Sequence, residues 1–273
     1  MKDVLGDRMK EFYENRYRFY LTRRTPVIIR VDGNAFHTFT RGLNKPFDAD
    51  FIKIMQETCK ALCADIQGCV GGYVQSDEIS LLLIDYQNLN SDAWFDYNLQ
   101  KITSLAAARA TAVFNYQVTE TVKECEAIMQ HSFETGDEYY WDKYSLWCPK
   151  QFRATFDARA FNIPKEEVCN YFIWRQKDAT RNSIQAAGQA QFSHKELNGK
   201  SQADIQEMLF QKGINWNDYS IPEKRGSFVR HFIETTIMEN GIEIIRHPWH
   251  IDDEMPILTE DRDYINELVF LKE

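Results

Sequence analysis

Two short acidic motifs, each at the end of an apolar run, carry the chemistry of this chain. The first is Val27-Ile28-Ile29-Arg30-Val31-Asp32-Gly33-Asn34-Ala35-Phe36-His37, and the second is Gly72-Tyr73-Val74-Gln75-Ser76-Asp77-Glu78-Ile79-Ser80-Leu81. Carboxylates brought together at strand ends repel one another unless a cation neutralises them. Asp32 and Asp77 are the two candidate ligands, with the carbonyl of Gly33 as a third, since glycine lets the backbone approach an ion closely. An all-oxygen donor set suits Mg²⁺, which takes one or two carboxylates and completes its shell with phosphates and water. Two such ions would serve in-line displacement at a phosphate. Glu78 is a further catalytic candidate beside Asp77.

The residues around the carboxylates fit a nucleoside triphosphate, ATP or GTP. The N–H groups of Gly33, Asn34, Ala35, Phe36 and His37 can cradle an anion where a helix begins. Lys45 is a candidate phosphate ligand, Ser76 a hydroxyl donor, and His37 a phosphate contact or proton carrier.

The elements that must position these groups follow from periodicity. Residues 3–21 have apolar spacing of three and four, which predicts a helix ended before Pro26. Residues 27–31 read as a strand, and Phe47 to Ala64 as a helix with Asp48 as N-cap. Residues 69–75 and 78–84 read as a hairpin turning at Ser76-Asp77-Glu78. Residues 93–114 predict a long helix, and 152–161 a fourth strand. The order is that of the βαββαβ unit, so the fold class is α+β, a ferredoxin-like polymerase palm with an antiparallel sheet. Residues 115–150 read as a less regular insertion with aromatic Tyr139, Tyr140, Trp141, Tyr144 and Trp147. Helices are predicted over 166–175, 177–190 and 201–212, and a closing pair of strands over 226–233 and 241–246. The palm therefore spans 1–163, and 164–273 is a C-terminal elaboration packed on it.

Composition bounds the alternatives. The chain has 273 residues and is 44% hydrophobic, enough for a large core. No apolar run approaches the roughly 20 residues of a membrane span. The start carries no apolar leader, and the six cysteines include no CxxC pair, so reduced thiols and a cytoplasmic location are expected. A net charge of −9 argues against non-specific nucleic-acid binding. Local basic groups remain, among them Arg175, Lys177 and Arg181.

At these motifs the sequence resembles the tRNA-histidine guanylyltransferase superfamily. Arg30-Val31-Asp32-Gly33 with Phe36-His37 is similar to its first metal motif, and Gln75-Ser76-Asp77-Glu78 to its second. Phe156-Asp157-Ala158-Arg159, Trp174-Arg175-Gln176-Lys177-Asp178 and Lys224-Arg225-Gly226-Ser227 resemble later blocks in the same order. The resemblance implies a palm that adds nucleotides to the 5′ end of tRNA, with the 3′-hydroxyl of the incoming nucleotide attacking an activated 5′ phosphate. It implies a homotetramer, which would gather scattered cations around one tRNA. It also makes Arg175, Lys177, Arg181 and Asn182 candidate tRNA contacts. Eukaryotic members carry His-Ile-Asn-Asn-Leu-Tyr-Asn where this chain has Ala179-Thr180-Arg181-Asn182-Ser183-Ile184-Gln185. In this it resembles the bacterial and archaeal guanylyltransferase-like proteins, template-dependent 3′–5′ polymerases that repair 5′-truncated tRNA.

Three further readings compete with that one: G−1 addition to histidine tRNA, nucleotidyl cyclisation on the same palm, and an RNA-binding module with nucleotide as a structural ligand.

Overall fold

In the computed structural model, residues 3–132, 138–237 and 243–271 are described. Helix α1 (Val4–Met9) tightens into a π turn at Lys10–Glu14 and a 3₁₀ turn at Asn15–Tyr17. None of these residues is buried, and Leu5, Phe12, Tyr13 and Tyr17 stay exposed. The expected helix over 3–21 therefore ends early: among the described residues no neighbouring element covers its apolar stripe and holds it straight.

Strand β1 (Val27–Gly33) leads into a one-turn helix, α2 (Phe36–Phe39), and then α3 (Ala49–Asp65). Asp48 caps α3 as expected: its Oδ1 accepts from the Phe51 N–H at 2.9 Å. Strands β2 (Cys69–Gln75) and β3 (Glu78–Leu83) form the hairpin, turning through Ser76 at φ +48°. Helix α4 then runs from Leu99 to Ser132, followed by α5 (Glu138–Trp147). Two expectations change here. Residues Trp94–Tyr97 form a 3₁₀ turn with positive φ at Phe95, Asp96 and Tyr97, so α4 starts later than 93. The segment read as an irregular insertion is largely the continuation of α4, together with α5; Trp147 from α5 is fully buried.

Strand β4 (Phe156–Asn162) precedes one continuous helix, α6 (Lys165–Gln191), where two were expected. Helices α7 (His194–Leu197), α8 (Gln202–Gln211) and α9 (Ile221–Arg225) follow, with Ser201 capping α8 as expected. Then come β5 (Ser227–His231), β6 (Glu234–Ile237), β7 (Glu243–Arg246), β8 (Trp249–Asp252) and α10 (Asp263–Val269). Strands form within the expected 226–233 and 241–246, of which 241 and 242 lie outside the described residues, but they do not pair with each other. β5 joins β2 and β8, while β6 and β7 make a separate two-stranded sheet.

The main sheet has the order β4-β1-β3-β2-β5-β8, with every neighbouring pair antiparallel. The C-terminal strands thus extend the sheet begun by the N-terminal ones. Both faces are covered. Val27, Ile29 and Val31 of β1 pack with Met55, Leu62, Ala110 and Phe114 of α3 and α4. Ile28, Tyr73 and Leu82 pack on the other face with Phe172 of α6 and Ile265 of α10. A strand buried on both faces must be apolar at consecutive positions, which is why 27–29 is an unbroken aliphatic run.

Candidate active site

The sheet places the two acidic motifs side by side. In the β1–β3 register Asp32 faces Glu78, and on the other side, in β4, it faces Asp157. The Gly33 N–H donates to the carbonyl of Asp77 at 3.0 Å, which ties the end of β1 to the hairpin turn. Burial raises the Asp77 carboxyl above the ordinary aspartate range, and the negative charge of Asp32 raises it further. The side-chain partner of Asp77 is the hydroxyl of Ser76, 3.1 Å from Oδ1. Asp32 lies 3.8 Å from Arg159 Nη2, which also reaches Asp157.

Glu78 has a different role in the geometry. Arg175 of α6 grips it with a buried two-point bond, Nε to Oε1 and Nη2 to Oε2, each 2.7 Å. Arg30 Nε lies 4.0 Å from Oε2, buried and without a hydrogen-bond partner. Both oxygens of Glu78 are therefore committed to cations. Arg175 in turn contacts Asp178 at 3.2 Å, and Asp178 holds Arg181 on the helix surface. Arg175 is 6% exposed, so it faces the site interior and not a tRNA-facing surface, because the buried glutamate needs its charge there.

The residues fit a hard divalent cation. Asp32 and Asp77 offer carboxylate oxygens at one corner, and the raised pKa of Asp77 reflects its burial and the nearby charge of Asp32. Among the described residues no group of three His, Cys, Asp or Glu side chains stands at metal-holding distances, since Glu78 is turned to Arg175. Gly33 is required at the corner, because the ring of Phe36 occupies the space a Cβ would need. Phe36 itself is anchored among Phe39, Phe51, Phe114 and Phe156.

The expected anion cradle is narrower than five residues. Gly33 and Asn34 spend their N–H groups on the carbonyls of Asp77 and Thr155. Ala35 takes left-handed φ of +54° and starts α2, so the N–H groups at Phe36 and His37 stand in a first turn that has no helical partners for them. His37 is exposed, with its ring 3.1 Å from the Thr38 hydroxyl.

A cavity of about 250 Å³ reaches the hairpin at Gln75 and Ser76, with none of Asp32, Asp77 and residues 33–37 in its lining. It brings Lys45, Ser76 and Asn182 together with Asp48 and Arg225. A second cavity of about 650 Å³ lies across Arg225, which lines both; Lys177 and Arg181 line this one. The four candidate tRNA residues thus separate into three places: Arg175 in the interior, Asn182 in the first cavity, Lys177 and Arg181 in the second.

The Trp174-Arg175-Gln176 block is explained residue by residue. Trp174 is 53% exposed, Arg175 binds Glu78, and the Gln176 amide bridges the carbonyl of Pro256 and the N–H of Leu258 at 2.9 Å each. Arg225 was singled out in the sequence within a block, not as a site residue. No spacing pattern marks it, because its placement depends on the turn at Gly226, whose φ of +80° only glycine adopts readily.

The family profile described as Thg1, tRNAHis guanylyltransferase, matches residues 6–164. The chain belongs to that family. It is a nucleotidyltransferase of the 3′–5′ type and most resembles the bacterial members. A bacterial tRNA(His) guanylyltransferase (Thg1)-like protein solved in complex with ATP is 41% identical, over 98% of this chain and all of that one, with a TM-score of 0.79. A bacterial Thg1-like protein solved in complex with GTP is 39% identical over the same shares, with a TM-score of 0.77. A curated relative, the probable tRNA(His) guanylyltransferase of Dictyostelium discoideum, is 26% identical over 79% of each chain. Among the described residues, no helix is long and apolar enough to cross a membrane.

Proposed function

We propose that this protein is a Mg²⁺-dependent, template-directed tRNA repair enzyme that extends 5′-truncated tRNA in the 3′–5′ direction. The observation that carries the reading is that Asp77 feels the charge of Asp32 at the end of a hairpin whose Ser76 lines a cavity together with Lys45 and Asn182. The βαββαβ unit acts as a polymerase-type palm, with sheet order β4-β1-β3-β2 and α3 and α4 on one face. The kinship with ATP- and GTP-bound bacterial proteins supports a nucleoside triphosphate in the cavity.

Each residue then has a task. Asp32, Asp77 and the Gly33 carbonyl hold Mg²⁺, two ions in the full site. The metal supplies Lewis-acid activation of the attacking hydroxyl and charge neutralisation at the phosphates. Lys45 and Ser76 orient the triphosphate, and the N–H groups at Phe36 and His37 bind its oxygens. Glu78, whose carboxyl is pushed up by burial and pulled back by the charges of Arg175 and Arg30, is gripped by Arg175 and holds the hairpin turn that carries Asp77. Lys177 and Arg181 face the RNA from the surface of α6. The enzyme works as a cytoplasmic homotetramer, in which neighbouring subunits gather the positive charge that a chain of net −9 lacks.

A second reading, G−1 addition to histidine tRNA, is favoured by the names of curated relatives such as the Dictyostelium protein. One experiment separates the two. The protein is incubated with Mg²⁺, ATP, labelled nucleotides and tRNA lacking its first nucleotide, in four versions that differ in the base opposite the gap. Repair predicts that the added nucleotide follows the opposite base, and that Asp32→Ala and Asp77→Ala abolish addition. Addition of G to all four supports guanylyltransfer, and no addition to any refutes both.

A further inference from the structure

We propose that the 650 Å³ cavity across Arg225 is a docking site for one unpaired nucleotide of the RNA substrate, its base on Trp174 and its phosphate on Lys177. The inference rests on the tRNA reading above and deepens it from general surface attraction to a defined pocket.

The cavity lies between α6, α8, the 3₁₀ turn at Trp216–Asp218 and the segment 257–259. Its volume falls within the roughly 300–1,000 Å³ common to ligand sites. Trp174, Lys177 and Arg181 are spaced three and four residues apart along α6, so they share one face of the helix. Arg175 backs one side of the Trp174 ring at 4.5 Å, while the ring remains 53% exposed. That is a stacking platform of the kind unpaired bases use. Trp216 forms the facing wall and is fixed in place: its indole N–H donates to Ser183 Oγ at 3.0 Å.

The charges select the ligand. The lining holds Lys177, Arg181 and Arg225 against the single carboxylate Asp178, which already binds Arg175 and Arg181. This leaves enough positive charge for one phosphodiester. It leaves no free carboxylate for the metal that accompanies a triphosphate, so a free nucleotide belongs in the first cavity. Arg225 has a buried Nε without a hydrogen-bond partner and lines both cavities. Its carbonyl is held by the Tyr73 hydroxyl at 2.5 Å, so the side chain stands on a fixed root between the nucleotide site and the base platform. An unpaired RNA base seated there is next door to the reacting end.

The test is equilibrium binding by the full-length protein without Mg²⁺ turnover, using labelled tRNA lacking its first nucleotide, and ATP in parallel. Trp174→Ala is expected to raise the Kd for the RNA about tenfold, the effect of losing one stacked base. Trp174→Phe restores most of the affinity, and the Kd for ATP does not change. Lys177→Gln is expected to lower the slope of log affinity against log salt by about 0.7–0.9, the signature of one lost phosphate contact. Trp174 is half in solvent, so these variants fold, and a thermal melt confirms it. An RNA Kd within twofold of wild type for Trp174→Ala overturns the proposal. So does an ATP Kd that rises as much as the RNA Kd, which would assign the pocket to a free nucleotide. Failure of the repair reading would show separately, as absent 5′ addition by the wild-type enzyme, while the binding comparison still decides the pocket.

Discussion

Removing Arg175 should destabilise the protein, whereas the amide in place of its partner Glu78 should leave the metal response intact. Glu78 and Arg175 are 9% and 6% exposed and share two 2.7 Å bonds. Deleting one partner of a buried pair strands the other charge, at a cost of about 3–5 kcal/mol. Here the stranded Glu78 keeps Arg30 at 4.0 Å, whose Nε has no other partner and can close in. Arg175→Ala should therefore cost about 3 kcal/mol, the low end. At roughly 2–4 °C per kcal/mol for a chain of this size, Tm falls by roughly 10 °C. Glu78→Gln keeps an oxygen for one of the two bonds, and Arg175 keeps Asp178, so the loss is about 1–2 kcal/mol. The assays are urea unfolding with and without MgCl₂, and thermal melts across a Mg²⁺ titration. Because Glu78 is bound to Arg175 and not aimed at the metal corner, Glu78→Gln should retain the Mg²⁺-induced rise in Tm. An Arg175→Ala cost below about 1 kcal/mol, or loss of the Mg²⁺ response in Glu78→Gln, refutes the reasoning.

Asp77 gives the opposite pH signature from a salt-bridged carboxylate. Burial raises its folded pKa, so its contribution to stability is present in acid and is lost as pH rises through that raised value. Asp77→Asn should stabilise the metal-free protein at pH 7 relative to wild type, with the difference vanishing near pH 3, and it should abolish the Mg²⁺-induced rise in Tm; pH-resolved melts check both. In the core beneath the corner, Phe114 is fully buried with its ring 5.4 Å from those of Phe36, Phe39 and Phe156. Phe114→Ala should cost about 3–5 kcal/mol by urea unfolding.

The parts of this molecule written in local periodicity were legible, and the parts written in contacts between distant residues were not. The aliphatic run of β1, the Asp48 cap of α3 and the hairpin of β2 and β3 each follow from a few neighbouring residues. The end of α4 was also readable in principle. Ala106, Ala110, Phe114, Val118, Val122 and Cys125 form one buried stripe that continues well past 114. Its start was not, since Trp94-Phe95-Asp96-Tyr97 has helical spacing but takes positive φ to bring Tyr97 into the core. The partner of Glu78 lies 97 residues away on another element, and nothing near either residue announces it.

That distant pair explains why the two acidic motifs need the C-terminal half of the chain. β1 and β3 alone set Asp32 opposite Glu78, two negative charges at a register position with nothing between them. A sheet so arranged would favour protonation of one carboxyl, or a slip of the hairpin. Arg175, delivered by α6 across the opposite face of the sheet, removes one of the charges from the contest. What remains is Asp77, buried and raised further by the charge of Asp32, the pair proposed above to share a cation. The same helix carries Asn182 to the first cavity and Trp174 with Lys177 to the second. One continuous helix thus holds Glu78 and lines both pockets, so a substitution that frees α6 from Glu78 should disturb both pockets together.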